Sequence, residues 1–100
     1  MQPTILKQSQ GHYLIEGELS MPTVPAISKQ FVELFSSIEG ENITIDLASV
    51  SRSDSAGVAL LIEVIQLANT ANLTLLFSNL PQQMKDIVEI SGLLDILPLE

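Results

Sequence analysis

Between Ile43 and Ala71 the hydrophobic period of the chain changes once, and that change limits what the chain can fold into. Ile43, Ile45 and Leu47 alternate with Thr44 and Asp46, the two-residue period of a strand. From Val58 onward the apolar residues recur at helical spacing. The two patterns meet at Ser53-Asp54-Ser55-Ala56-Gly57. Asp54 and Ser55 are both good helix N-caps, because a side-chain oxygen can accept from the first unpaired N–H groups. Gly57 removes a side chain where another group can come close to the first helical turn. The junction is where functional residues are expected.

The flanks supply the rest of an α/β pattern. Thr4 to Gln8 can pair with His12 to Leu19 across the turn Ser9-Gln10-Gly11. In the second strand Tyr13 and Ile15 face one way, and Leu14, Glu16 and Glu18 the other, with the two glutamates on a solvated edge. Thr23 is the expected cap of a first helix, with Pro25 tolerated in its first turn and Gly40 ending it. Ile27, Phe31, Leu34 and Ile38 are its buried stripe. The strand Asn42 to Ala48 then leads to the junction and the central helix. Leu73 to Phe77 is nearly all apolar and reads as a strand covered on both faces. Asn79 or Ser78 can cap a third helix with Met84, Ile87, Val88 and Ser91 inward, stopped by Gly92. Leu93 to Leu97 packs back as a final turn or short strand. The order β-β-α-β-α-β-α predicts a single α/β domain over residues 1–100. Its central sheet is mixed: parallel where helices separate the strands, antiparallel at the first hairpin.

On the central helix, at 100° per residue, Val58, Leu60, Leu61, Val64, Ile65, Leu67 and Ala68 fill about half the circumference and form the core side. Ser55, Ala59, Ile62 and Gln66 make a ridge on the other side, small at the top and apolar in the middle. Periodicity leaves two readings of Ile62 open. It is a singly exposed or loop-covered apolar residue, which is common, or it is part of a protein-docking ridge.

Composition excludes several functions. There is no cysteine, so disulfides, thiol catalysis and zinc–cysteine sites are ruled out and a cytoplasmic setting is the default. Twelve acids stand against Lys7, Lys29, Arg52 and Lys85, a net charge of −8. Four scattered cations cannot form a phosphate-binding face, which argues against nucleic acid, and the same charge disfavours an anionic membrane. It suits a basic protein partner. No signal peptide is visible in MQPTILKQSQGHY, and Val58 to Ile62 is far too short to span a bilayer. His12 is the lone histidine and reads as surface polar. No metal-spaced cluster, phosphate loop or dinucleotide fingerprint is present, so no metal, cofactor or enzymatic activity is expected.

Ser55 has three readings. As a cap it contributes on the order of 1 kcal/mol. As a phosphoacceptor it gains about −1.5 to −2 charges beside the positive end of the helix dipole. As a nucleophile it needs a base and an oxyanion site, which a single distant histidine does not offer.

The run Asp46-Leu47-Ala48-Ser49-Val50-Ser51-Arg52-Ser53-Asp54-Ser55-Ala56-Gly57 resembles the signature of STAS domains: Asp-Leu, two residues, Val, three residues, then Asp-Ser/Thr-x-Gly. Leu14 to Leu19 is similar to the family's second strand, and Ser91-Gly92-Leu93 to its closing Gly-Leu, so the resemblance spans nearly the whole chain. It implies a non-enzymatic protein that binds another protein. In anti-sigma-factor antagonists the position of Ser55 is the phosphoacceptor, and phosphorylation releases an anti-sigma factor kinase. Val50 to Leu61 is more similar to the small STAS subunit of the Mla-type phospholipid ABC transporter, which binds the ATP-binding subunit beside its permease. That branch commonly has Thr at position 55, Gly at position 56 and an apolar residue at position 53, where this chain has Ser55, Ala56 and Ser53. The transporter resemblance implies a cytoplasmic subunit held at the inner membrane only through its partner. In both branches the partner meets the start of the helix. The implied contact face is Ser55, Ala59, Ile62 and Gln66, with Arg52, Glu63 and Asp54 at its margin. Asp54 and Gly57 form the signature turn, with Asp54 expected to orient it through hydrogen bonds to its N–H groups.

Overall fold

A computed structural model describes residues 2–38 and 40–100. The middle of the sheet is β2 (His12–Leu19), which carries three neighbours. Strand β1 (Thr4–Ser9) pairs with it antiparallel, while β3 (Asn42–Asp46) and β4 (Val50–Ser53) both pair with it parallel. Strand β5 (Thr74–Ser78) adds to β3 in parallel, giving a five-stranded mixed sheet. Helices α1 (Val24–Ser36), α2 (Ser55–Thr70) and α3 (Gln82–Ile90) pack against one face, followed by a 3₁₀ turn at Leu94–Ile96. Beyond it, Leu99 bridges to Phe77 at the β5 edge.

The two periods place the core. Tyr13, Ile15 and Leu19 from β2, Ile43 and Ile45 from β3, and Leu75 and Phe77 from β5 point inward. They meet Ile27, Phe31 and Phe35 of α1, Val58, Leu60, Leu61, Val64 and Ala68 of α2, and Met84 and Val88 of α3. Phe31 and Phe35 meet edge to face, with centroids 5.7 Å apart. The mixed α/β architecture is therefore as the period change predicts.

Several local expectations are corrected. The order is β-β-α-β-β-α-β-α, because β4 intervenes between β3 and α2. Asp46 causes the break: its Oδ1 accepts from Ala48 N at 2.9 Å, and Val50 N donates to Leu47 O at 3.1 Å, closing a turn. Strand β4 then resumes along the second half of β2. Gly17, at φ +117°, sits at a register shift within this pairing, where Gly17 lies beside Val50 but Glu18 beside Arg52, and its N–H reaches Ser49 O. Because β2 has neighbours on both sides, Glu16 and Glu18 lie on its open face and not on an edge.

Strand β5 is covered on one face only. Among the described residues no helix packs on the other, and Leu76 is 37% exposed. An all-apolar run cannot by itself distinguish the two cases. Helix α1 ends at Ser36, ahead of Gly40, so Ile38 lies beyond it and Phe35 takes the buried place. Thr23 stands at the N-cap position but makes no capping bond. Its Oγ1 donates to Glu18 O at 2.7 Å and accepts from Ser20 N at 2.9 Å. Asn79 does not cap α3 either; its Nδ2 donates to Asp46 Oδ1, and Pro81 opens the helix. Ser91 is exposed at the C-cap of α3, outside the inner face on which Met84 and Val88 are buried.

Candidate functional site

The register of the parallel pair builds the site. Leu19 lies beside Ser53, so β2 and β4 end together, and the loop Ser20–Thr23 emerges next to the start of α2. Loops leaving the carboxyl ends of neighbouring parallel strands gather in this way. Asp54 joins the two. Its N–H donates to Leu19 O at 3.2 Å, Oδ1 accepts from Ala56 N at 2.9 Å, and Oδ2 accepts from Met21 N at 3.2 Å. Of the two residues able to cap the helix, Asp54 is the one that does so. The hydroxyl of exposed Ser55 is left free of that duty.

Gly57 is buried directly beneath this turn. What comes close to it is the chain itself: an added Cβ would lie 2.8 Å from Leu19 O and would run into Ser53 Oγ. Gly57 therefore works inward, letting α2 seat on the ends of β2 and β4. Gln83 secures the other flank, its Oε1 accepting from Ser53 N at 2.7 Å and tying α3 to β4. Gln83→Leu removes that acceptor while keeping the volume. It is expected to cost about 1–2 kcal/mol, seen as a lower urea midpoint at unchanged slope. An unchanged midpoint would mean that water satisfies the Ser53 N–H.

Outside the turn, Ser55, Ala59 and Gln66 are exposed on α2, and Arg52 is exposed on β4. Ile62 is half-buried and packs against the core, so the ridge is apolar at a point that also supports the fold. Ile62→Asp therefore costs stability as well as any contact. Glu63 is also half-buried, and its Oε1 accepts from Ser28 Oγ of α1, which joins the two helices. Ser55, Ala59, Ile62 and Gln66 share one side of α2, whereas Arg52 pairs with Glu18 and lies with it on the open face of the sheet, and Glu63 is held by α1 in a way that Ser55, Ala59 and Gln66 are not. Met21 was not visible in the sequence as part of this surface. It is 75% exposed, and its backbone is fastened to Asp54, which makes it an apolar side chain at the rim of Ser55. The parallel register that brings its loop there is a long-range property.

The site holds no nucleophile–base pair. His12 begins β2 and contacts Gln10 O, whereas Asp54 meets Leu19 at the far end of the strand, about 23 Å away at 3.3 Å per residue. Among the described residues no group of three or more His, Asp and Glu side chains is placed to hold a metal ion. No described helix is long and apolar enough to cross a membrane.

A mixed sheet with helices on one face, and an Asp-capped helix presenting an exposed serine, fit the STAS fold class. The family model described as "Mlab, STAS domain" matches residues 7–98, and the chain belongs to that family. Solved structures agree in fold. An anti-sigma factor antagonist from Mycobacterium paratuberculosis is similar with a TM-score of 0.78 at 20% identity, over 98% of this chain and 85% of that one. A putative anti-sigma factor antagonist from Thermotoga maritima gives 0.77 at 11% identity, over 97% and 84%. The anti-sigma factor antagonist SpoIIAA in its unphosphorylated form gives 0.72 at 17% identity, over 98% and 87%. No curated protein sequence matches the chain.

Proposed function

We propose that this STAS domain is a non-enzymatic regulator that works by docking a partner protein on the face built by Met21, Ser55, Ala59, Ile62 and Gln66, with Arg52 at its margin. One observation carries the reading. Asp54 supplies the cap, so Ser55 stands exposed at the positive end of α2 with no structural task of its own. A phosphate on Ser55 would be tolerated by the fold, being at a helix N-terminus, yet would set about two negative charges beside the Asp54 carboxylate on the docking face. The geometry thus suits a contact that phosphorylation can break.

Two partners fit. The antagonist reading, in which an anti-sigma factor kinase binds and phosphorylates Ser55, is supported by the solved neighbours described as anti-sigma factor antagonists and by the exposed serine. The transporter reading, in which the partner is the ATP-binding subunit of a phospholipid ABC transporter and the domain sits at the inner membrane through it, is supported by the approach residues Val50 to Leu61 and by the family description. Purification of the tagged chain from its own cells, with co-purifying proteins identified by mass spectrometry, separates them. A small kinase with phosphate on Ser55 supports the first; an ATPase with its permease in stoichiometric amount supports the second.

The switch has its own test. Ser55→Asp is expected to weaken partner binding by about tenfold or more, while Ser55→Ala leaves it within about twofold. Equal effects from the two variants would reduce Ser55 to a steric contact.

A further inference from the structure

The docking face on α2 leaves another surface unused. Ile90, the last residue of α3, is 89% exposed, and Leu94 and Ile96 in the 3₁₀ turn are 40% and 56% exposed. Between them the chain reverses at Gly92, φ +70°, with Leu93 N donating to Val88 O at 3.0 Å and Leu93 returning to the core. The end of α3 and the 3₁₀ turn therefore form one corner. Singly exposed apolar residues are ordinary, but here three large ones fall within seven consecutive positions around one chain reversal. Acids are interleaved with them. Asp86 lies four residues before Ile90 on the same helix face, Glu89 is its neighbour, and Asp95 separates Leu94 from Ile96; all three are exposed. Lys85 is the one cation in α3 and the turn.

We infer that this corner docks a cationic amphipathic segment of a partner protein, with apolar side chains on Ile90, Leu94 and Ile96 and Lys or Arg side chains on Asp86, Glu89 and Asp95. Charge selects the occupant. An anionic lipid surface would be repelled by the three carboxylates on a chain of net charge −8. A second copy in a two-fold contact would set the same carboxylates against themselves. A basic helix satisfies both the apolar and the acidic groups. The corner is separate from the Ser55 face and does not depend on which partner binds there.

The test is a titration of ¹⁵N-labelled full chain with a synthetic amphipathic helix of leucine and lysine. A version with glutamate for lysine and vesicles of phosphatidylcholine with phosphatidylglycerol serve as comparisons. The lysine peptide is expected to shift amide signals of residues 86–96 and to bind more weakly as salt rises. Ile90→Lys is expected to weaken it by about tenfold or more without changing the melting temperature, since Ile90 contributes little to the core. Shifts centred on the Ser55 face or the open sheet face would overturn the inference. So would equal binding of the glutamate peptide, binding to the vesicles, or self-association that Ile90→Lys abolishes.

Discussion

Gly57→Ala is expected to lower the melting temperature by roughly 5–15 °C, although alanine is the better helix former. The helical gain is at most about 1 kcal/mol. Against it, the new Cβ would sit 2.8 Å from Leu19 O and 3.1 Å from Leu19 Cβ, and would overlap Ser53 Oγ. Overpacking of this kind costs about 1–3 kcal/mol, and here two of the three obstacles, Leu19 O and Cβ, are fixed to the backbone of a strand end and cannot swing aside as a long side chain can. Leu19 O is also the acceptor for Asp54 N, so moving it loosens the turn that carries Ser55. The net loss is about 1–2 kcal/mol for alanine and larger for valine; each kcal/mol is worth about 4–8 °C in a domain of this size. Calorimetry of the two variants checks it. A melting temperature equal to the parent's for both would show that the seat of α2 on β2 and β4 is loose, and that Gly57 serves an approach from outside.

That glycine illustrates which features could be read from the sequence. A Gly in the first turn of a helix announces a close approach, but the sequence does not say from which side, because two of the three approaching atoms belong to Leu19, far away in the chain. The strand–helix junction, the hairpin and the inner arc of α2 were legible because each is set by local period or turn chemistry. Strand β4 was not: Val50-Ser51-Arg52-Ser53 has neither alternation nor length, and it is a strand only because β2 offers it a partner beyond the Gly17 shift. Thr23 and Asn79 look like caps, yet Thr23 closes its own loop through Glu18 and Ser20, and Asn79 goes to Asp46, a partner that tertiary packing brings near. Ile62 and Leu76 show the complementary failure. Helical position puts Ile62 outside, but neighbouring elements half cover it; apolar company puts Leu76 inside, but no helix covers that face among the described residues. Met21 carried no signal at all. It joins the Ser55 surface through one bond to Asp54, thirty-three positions away.

These distinctions decide which substitution tests the docking face. Ala59→Arg is expected to weaken partner binding by about 100-fold or more, equivalent to about 2.7 kcal/mol, with stability changed by no more than about 0.5 kcal/mol. Ala59 is exposed in the middle of the ridge, between Ser55 and Ile62, so an arginine there fills space that the partner would occupy. The added positive charge also opposes the basic partner surface that suits a chain of net charge −8. Ile62→Asp is expected to lose both binding and about 1–3 kcal/mol of stability, since Ile62 packs on the core, and so cannot separate the two effects. Met21→Glu gives an independent arm from a different element. Its side chain is mostly in solvent, and its tie to Asp54 runs through the backbone N–H, which the substitution retains. Loss of binding in both Ala59→Arg and Met21→Glu, with parental melts, would fix the contact on the helix start and the β2–α1 loop together. Loss in Ala59→Arg alone would confine it to α2. Parental affinity in both would remove this face from the interface and leave exposed Ser55 without the role argued for it.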